Sequence, residues 1–336
     1  MTLTTADLTP YDPFENMRFG PTRCFLSGAP VELTDTVPVF ADWLRARYDL
    51  AERPMQLLDQ RTVTLQELTL PVSPAVRPRL LALEDTVAAA AAQGPAALRA
   101  LGDDTLFLWL GKMFYGIFIT ELLNEQQPLI KPKYPLTENA ALLRRFRTFF
   151  QLLQGLRVPT EYADFVPGSV FVLEADAAFG QPAFEYDDDL NTLVFSIKLD
   201  QTVIVACLVD TGLIAQAMGR VYADARARPL HPAQVAEFKA RVYYAAHLLH
   251  VVPDIYPRAP RPGDTQLVFD ALLDDVTGAI FNPWENPAYA TALAELTQRW
   301  GLTYAQILAD PAAPLSLLYD ERGAPRPAAG VPRLLS

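Results

Sequence analysis

Cysteine and histidine are scarce in this chain, at two and three residues among 336. The cysteines, Cys24 and Cys207, lie far apart in different expected elements. A disulfide framework is therefore not expected, and a reducing cytoplasm fits. Positive charge is also in deficit: 28 Lys and Arg stand against 39 Asp and Glu, a net charge of -11. That balance opposes non-specific binding to phosphate backbones, though it leaves room for a local basic groove. The opening stretch, Met1 to Pro10, lacks the basic and apolar regions of a secretory signal. One long apolar run exists, Leu106 to Leu123, and Lys112 interrupts it. A central lysine costs about 2.5–3.5 kcal/mol in a membrane span. Gly111 and Gly116 weaken the run further as a free helix, so a buried central helix is expected and no membrane partner. No phosphate-binding P-loop, dinucleotide fingerprint or serine elbow occurs.

What the chain does contain is enough apolar material, 51% of its residues, for a sizeable core. Its length suggests two domains. Residues 1–23 read as a loop-rich arm broken by Pro10, Pro13 and Pro21. Residues 24–157 read as short strands and helices, including Val39–Tyr48, the alanine-rich 85–100 with a break at Gly94-Pro95, 105–123 and 137–153. After Val158 the pattern changes. Ser169–Glu174, Thr192–Leu199 and Thr202–Val209 are β-branched runs separated by turn residues, as in an antiparallel meander. A further strand is expected at Leu213–Met218, a long helix at Pro232–Val251, a strand at Gln266–Leu272, and helices at Pro287–Trp300 and Tyr304–Leu308. Residues 158–321 thus form a second, α+β domain. The tail 322–336 has too few large apolar groups to fold alone. The fold class expected for the whole chain is α+β.

Three successive elements between Cys24 and Glu84 carry a resemblance. Cys24-Phe25-Leu26-Ser27-Gly28 has the form of a Cys-x-x-Cys-Gly knuckle with one cysteine replaced. Val37-Pro38-Val39-Phe40-Ala41-Asp42-Trp43-Leu44 has the form of a catalytic strand and turn without its histidine. Leu68-Thr69-Leu70-Pro71 leads into Ser73-x-x-Val76-Arg77, where Cys-x-x-Cys-Asn would stand. The segment resembles the bacterial HNH (His-Me finger) endonuclease-like family, best over 24–120 and loosely over 20–310. Leu106–Ile117 is similar to the helix that follows the HNH module in one branch. The resemblance implies a treble-clef remnant with zinc-ligand positions at Cys24, Ser27, Ser73 and Val76. It puts the general base at Pro38 and the asparagine at Arg77 or Pro78. A structural zinc needs four N or S ligands, and only Cys24 qualifies. Proline offers no base and arginine holds no cation, so the implied hydrolytic site is lost. No cofactor is expected. The segment must then hold together by packing of residues such as Phe25, Val39, Phe40, Trp43 and Leu70.

Other groups carry candidate chemistry. Asp187, Asp188 and Asp189, in the run Glu185–Asp189, could bind a hard cation, but a solvated turn between strands is the simpler reading. His247 and His250, three apart on an expected helix, could share a metal-binding face. His231 is expected to start that helix. Lys112 is either a functional cation or the partner of a carboxylate. Arg144, Arg145 and Arg147 form a possible basic face. Three classes stay open: an inactive HNH-like protein acting by binding, a nuclease or other hydrolase with a relocated site, and a structural, self-associating protein. Exposed apolar surface near Phe25 or Trp43 would favour the last. Ligand, partner and oligomeric state are not legible.

Overall fold

The computed structural model describes residues 4–125, 128–130, 135–272 and 279–331. In chain order the elements are β1 (Thr36–Pro38), α1 (Asp42–Tyr48), β2 (Pro54–Gln56), β3 (Thr62–Thr64), β4 (Thr69–Pro71), α2 (Arg77–Ala91), α3 (Pro95–Ala100), α4 (Asp103–Asn124) and α5 (Ala140–Leu152). They continue as β5 (Thr160–Ala163), β6 (Ser169–Glu174), β7 (Phe184–Asp189), β8 (Val194–Leu199), β9 (Thr202–Cys207), α6 (Leu213–Ala217), α7 (Gly219–Arg226) and α8 (Pro232–Leu248). Last come β10 (Asp254–Pro257), β11 (Leu267–Leu272), α9 (Asn286–Thr297) and α10 (Tyr304–Ile307). The fold is α+β. The chain forms two compact units, and they interleave rather than meeting at residue 157. Residues 1–90, 104–167 and 254–272 make the first; 91–103, 168–253 and 273–336 make the second. The reason is strand pairing: β11 lies parallel to β5 and antiparallel to β10, so 254–272 belongs with β5.

The first unit is organised around α4. This helix is long and apolar enough to cross a membrane, yet most of its surface is buried inside the protein. Its aromatic residues pack on α5, with Phe114 and Phe118 both stacked on Phe146. Gly116 lets the segment after β1 approach, because a Cβ there would overlap the Val39 side chain. Helix α5 begins at Ala140, three residues later than the sequence pattern suggests. Asn139 is the cap, its side chain accepting from the Leu142 N–H at 3.1 Å, so Thr137 lies outside the helix. The arm is not a detached segment: Leu8 and Phe14 are buried, and Arg157 donates to the carbonyls of Asp7 and Thr9. Its first three residues lie outside the described residues.

The second unit contains a four-stranded antiparallel sheet in the order β6-β9-β8-β7. Strands β7, β8 and β9 follow one another as a meander, but β6 crosses over to pair with β9, so the three runs read from the sequence are not one meander. Leu199 pairs with Thr202, so Asp200-Gln201 forms the two-residue turn, with Asp200 at φ 52°. Helix α8 covers the sheet, Phe238 meeting Phe171 edge-on at 5.3 Å. His231 starts α8 through a capping box: its Nδ1 accepts from the Ala233 N–H, and Gln234 accepts from the His231 N–H. The segment 213–218, expected as a strand, is helix α6 over Leu213–Ala217 with Met218 at its C-cap. The buried Asp210 carboxylate accepts from the Ile214 N–H at 2.8 Å, capping that first turn, and short apolar runs carry no periodicity to announce this. The tail folds back as far as it is described. Gln234 Nε2 donates to the carbonyls of Leu317 and Arg326 at 2.8 and 2.7 Å. Residues 332–336 lie outside the described residues.

Candidate functional site

The Cys24 and Ser73 turns of the first unit face each other. Gly28, at φ 68°, closes the first turn by donating to the Cys24 carbonyl at 2.8 Å. The N–H groups of Val76 and Arg77 close the second on the Ser73 carbonyl at 3.0 and 3.1 Å, at the head of α2. Phe25 N–H donates to the Pro71 carbonyl at 2.9 Å and ties the turns together. The Cys24 thiol is buried and meets the side chains of Ser27 and Ser73. Burial alone would raise its pKa. Hydrogen bonds from Ser27, the Ser73 backbone and the Leu26 backbone outweigh burial and hold it below the usual thiol value. Three of the four positions singled out in the sequence thus converge. The fourth, Val76, is 3% exposed and brings only methyl groups.

Pro38 lies on β1, paired with Thr69 of β4. Its carbonyl accepts from Lys112 Nζ at 3.3 Å. The same ammonium pairs with Glu84, whose carboxylate also accepts from the indole N–H of Trp43 at 3.0 Å and of Trp109 at 2.9 Å. Lys112 and Glu84 are buried, so this is an internal ion pair whose two carboxylate oxygens both accept hydrogen bonds. It answers the two readings of Lys112 in favour of a carboxylate partner. Arg77 donates to the Thr36 carbonyl at 2.9 Å and lies 3.9 Å from Asp35, a clamp on the start of β1. Phe25 is buried and Trp43 is half-buried against Trp109, so neither supplies an exposed apolar patch.

The remaining candidates separate. Glu185–Asp189 is not a turn but most of β7, the sheet's edge strand, where one row of backbone groups faces solvent and charge is tolerated. Asp187 pairs with Lys239 at 2.7 Å, Glu185 with Arg299 at 2.9 Å, and Asp189 accepts from Thr192. Burial, then the neighbouring Asp187 and Asp189, push Asp188 up to about 6. Asp187, Asp189, His247 and Glu295 line an open groove of about 580 Å³ in the second unit. His247 and His250 do not share a helical face, because α8 stops at Leu248 and Leu249 is extended. Among the described residues no three His, Cys, Asp or Glu side chains are arranged to hold a metal ion. On α5, Arg144 and Arg147 are exposed and Arg145 is half-buried; Arg147 pairs with Asp12 at 2.5 Å.

A cavity of about 290 Å³ opens beside the Cys24 turn. It is lined by Arg18, Arg23, Cys24, Phe25 and Tyr115, among others, and sequence reasoning missed it. Arg18 and Arg23 sit in an aperiodic loop, and Tyr115 is one letter in an apolar run. Comparison with protein-family models, curated proteins and solved structures gives no match to this chain.

Proposed function

We propose that the protein is a catalytically inactive relative of the bacterial HNH endonuclease-like family, cytoplasmic, acting by binding rather than by cutting. One observation carries this reading. Cys24, Ser27 and Ser73 meet at the positions where the family resemblance puts zinc ligands, and they satisfy one another by hydrogen bonds. Two turns facing each other ahead of a long helix are what a treble-clef remnant requires. The ligand set has the wrong chemistry for zinc, since two hydroxyls and a valine replace thiolates. On the same resemblance, the general base becomes Pro38 and the metal-binding asparagine Arg77, which leaves neither a proton acceptor nor a metal ligand. The ammonium of Lys112 and the guanidinium of Arg77 donate to the carbonyls at the two ends of β1, Pro38 and Thr36.

Two measurements test the reading. Elemental analysis of the purified chain should find no stoichiometric zinc; one tightly held zinc per chain would overturn it. A nuclease assay with Mg²⁺, Mn²⁺ and Zn²⁺ should detect no cleavage. Metal-dependent cleavage that disappears in Asp187→Ala or Asp188→Ala would instead place a relocated active site on β7.

A further inference from the structure

The first unit's cavity joins a buried hydroxyl, unpartnered among the described residues, an apolar wall and a cationic mouth. Tyr115 lines it at 1% exposure, and its hydroxyl has no hydrogen-bond partner among the described residues. Buried tyrosines normally find a partner for that hydroxyl, because the ring is apolar and the O–H is not. Phe25 stacks on the Tyr115 ring at 5.8 Å, and Phe19, Ile119 and Leu123 add further apolar wall.

The rim is cationic in an otherwise acidic protein. Arg18 has no carboxylate partner among the described residues, and Arg23 makes one long bond, 3.4 Å, to the Gly28 carbonyl. Both guanidiniums reach the field of the Tyr11 hydroxyl, where burial raises the pKa and these two charges oppose it. Glu67 is the carboxylate among the lining residues, and it is already engaged, accepting from Thr64 N–H and Oγ1 at 2.6 and 2.7 Å. Asp12, near Tyr115, is neutralised by Arg147.

We propose that this cavity is a binding site for a small ring-bearing anion, an aromatic or similarly flat apolar body ending in a carboxylate or phosphate. The ring lies against Phe25 and the wall of α4, where Tyr115 donates its unused O–H to a polar substituent. The anionic end meets Arg18 and Arg23 at the mouth, where guanidinium forks suit either oxyanion. The cavity volume lies near the lower end of the roughly 300–1,000 Å³ of small-molecule sites, which excludes a polymer or a dinucleotide. The proposal rests on the reading of this chain as a binding protein and names the class of ligand for the face beside its degenerate site.

The test titrates the full chain with phenyl phosphate, benzoate, benzyl alcohol and inorganic phosphate, followed by ligand-observed NMR. Phenyl phosphate and benzoate should bind saturably. Benzyl alcohol and inorganic phosphate should each bind about tenfold more weakly or worse, since each lacks one half of the recognition. The double variant Arg18→Gln/Arg23→Gln should lose about tenfold or more for phenyl phosphate and leave benzyl alcohol unchanged. Tyr115→Phe, which keeps the ring, should lose about threefold to tenfold for a para-hydroxylated benzoate without moving the thermal midpoint. No saturable binding of either anion would overturn the proposal, as would equal affinity for benzyl alcohol or inorganic phosphate, or affinity unaltered in both variants. Those failures leave the zinc and nuclease results untouched, so the two readings fall separately.

Discussion

The two units each bury a carboxylate beside a cation, and they differ in what else meets it. Glu84 in the first unit is surrounded by side chains from other helices: the Lys112 ammonium and the indoles of Trp43 and Trp109. Glu237 in the second is 0% exposed and divides its oxygens: Oε2 accepts from the backbone N–H groups of Leu317 and Leu318, and Oε1 from Arg241 and Ser316 Oγ. The first arrangement fastens α1, α2 and α4 to one point. The second fastens a loop, and with it the C-terminal segment, to α8. A buried charge is tolerated in either setting because both carboxylate oxygens have donors and a cation lies beside them. What fails when it is removed should therefore differ between the units.

The largest effect is expected at Lys112. Lys112→Ala leaves Glu84 buried without its counter-charge and should cost about 3–5 kcal/mol, read from the urea unfolding midpoint. The double variant Glu84→Gln/Lys112→Met should recover most of that loss, because a neutral pair of similar volume removes the stranded charge. If the double variant is as unstable as the single, the ion pair itself and not its imbalance stabilises the unit. Glu237→Gln should cost about 2–3 kcal/mol by unpairing buried backbone donors. Its signature is local: limited proteolysis should cut within 316–331 before the rest of the chain. Cleavage elsewhere first would break the contrast between the units.

Trp43→Ala should fall next, at about 2–3 kcal/mol. The ring is half-buried, so the loss should lie below that of a fully enclosed aromatic, and Glu84 keeps Trp109 and Lys112. An unchanged thermal midpoint would show that the indole contributes nothing to the cluster.

The smallest effect belongs to the second unit. Burial and two flanking carboxylates raise Asp188 to about 6, so its folded form holds the proton more tightly than the unfolded chain does. The stability it contributes is complete below about pH 4 and is lost as pH rises through 6. Asp188→Asn should thus stabilise by about 1–2 kcal/mol at pH 7.5, with no gain at pH 4. A gain independent of pH would assign the effect to something other than this titration.

Much of the second unit was legible because its sequence is periodic. Ser169–Glu174 matched β6 residue for residue, and β8 and β9 lay within the expected runs, with Asp200-Gln201 as their turn. His231 before Pro232 marked the start of α8. The acidic strand β7 was hidden, since its alternate carboxylates meet Lys239 and Arg299 from distant positions and read locally as a turn. Residues 213–218 were hidden for another reason: the group that caps that turn is the carboxylate of Asp210, whose side chain is also the acceptor for Ser169. In the first unit it was the family resemblance that singled out Cys24, Ser27 and Ser73, whose side chains do meet; strands of three residues carry almost no pattern of their own.

The sequence by itself determined the α+β class, an antiparallel sheet after Val158, the central apolar helix and the presence of one thiol and no imidazole in the Cys24–Glu84 segment. These follow from composition, period and the chemistry of single side chains, which are local properties. Only the tertiary structure decided that Glu84 rather than another carboxylate neutralises Lys112, that β11 returns to pair with β5, and that Tyr115, Arg18 and Arg23 surround one cavity. Each of those depends on residues tens to hundreds of positions apart meeting in space. No local preference encodes such a meeting; it is set by which packing buries the apolar surface while leaving the fewest buried polar groups unmet.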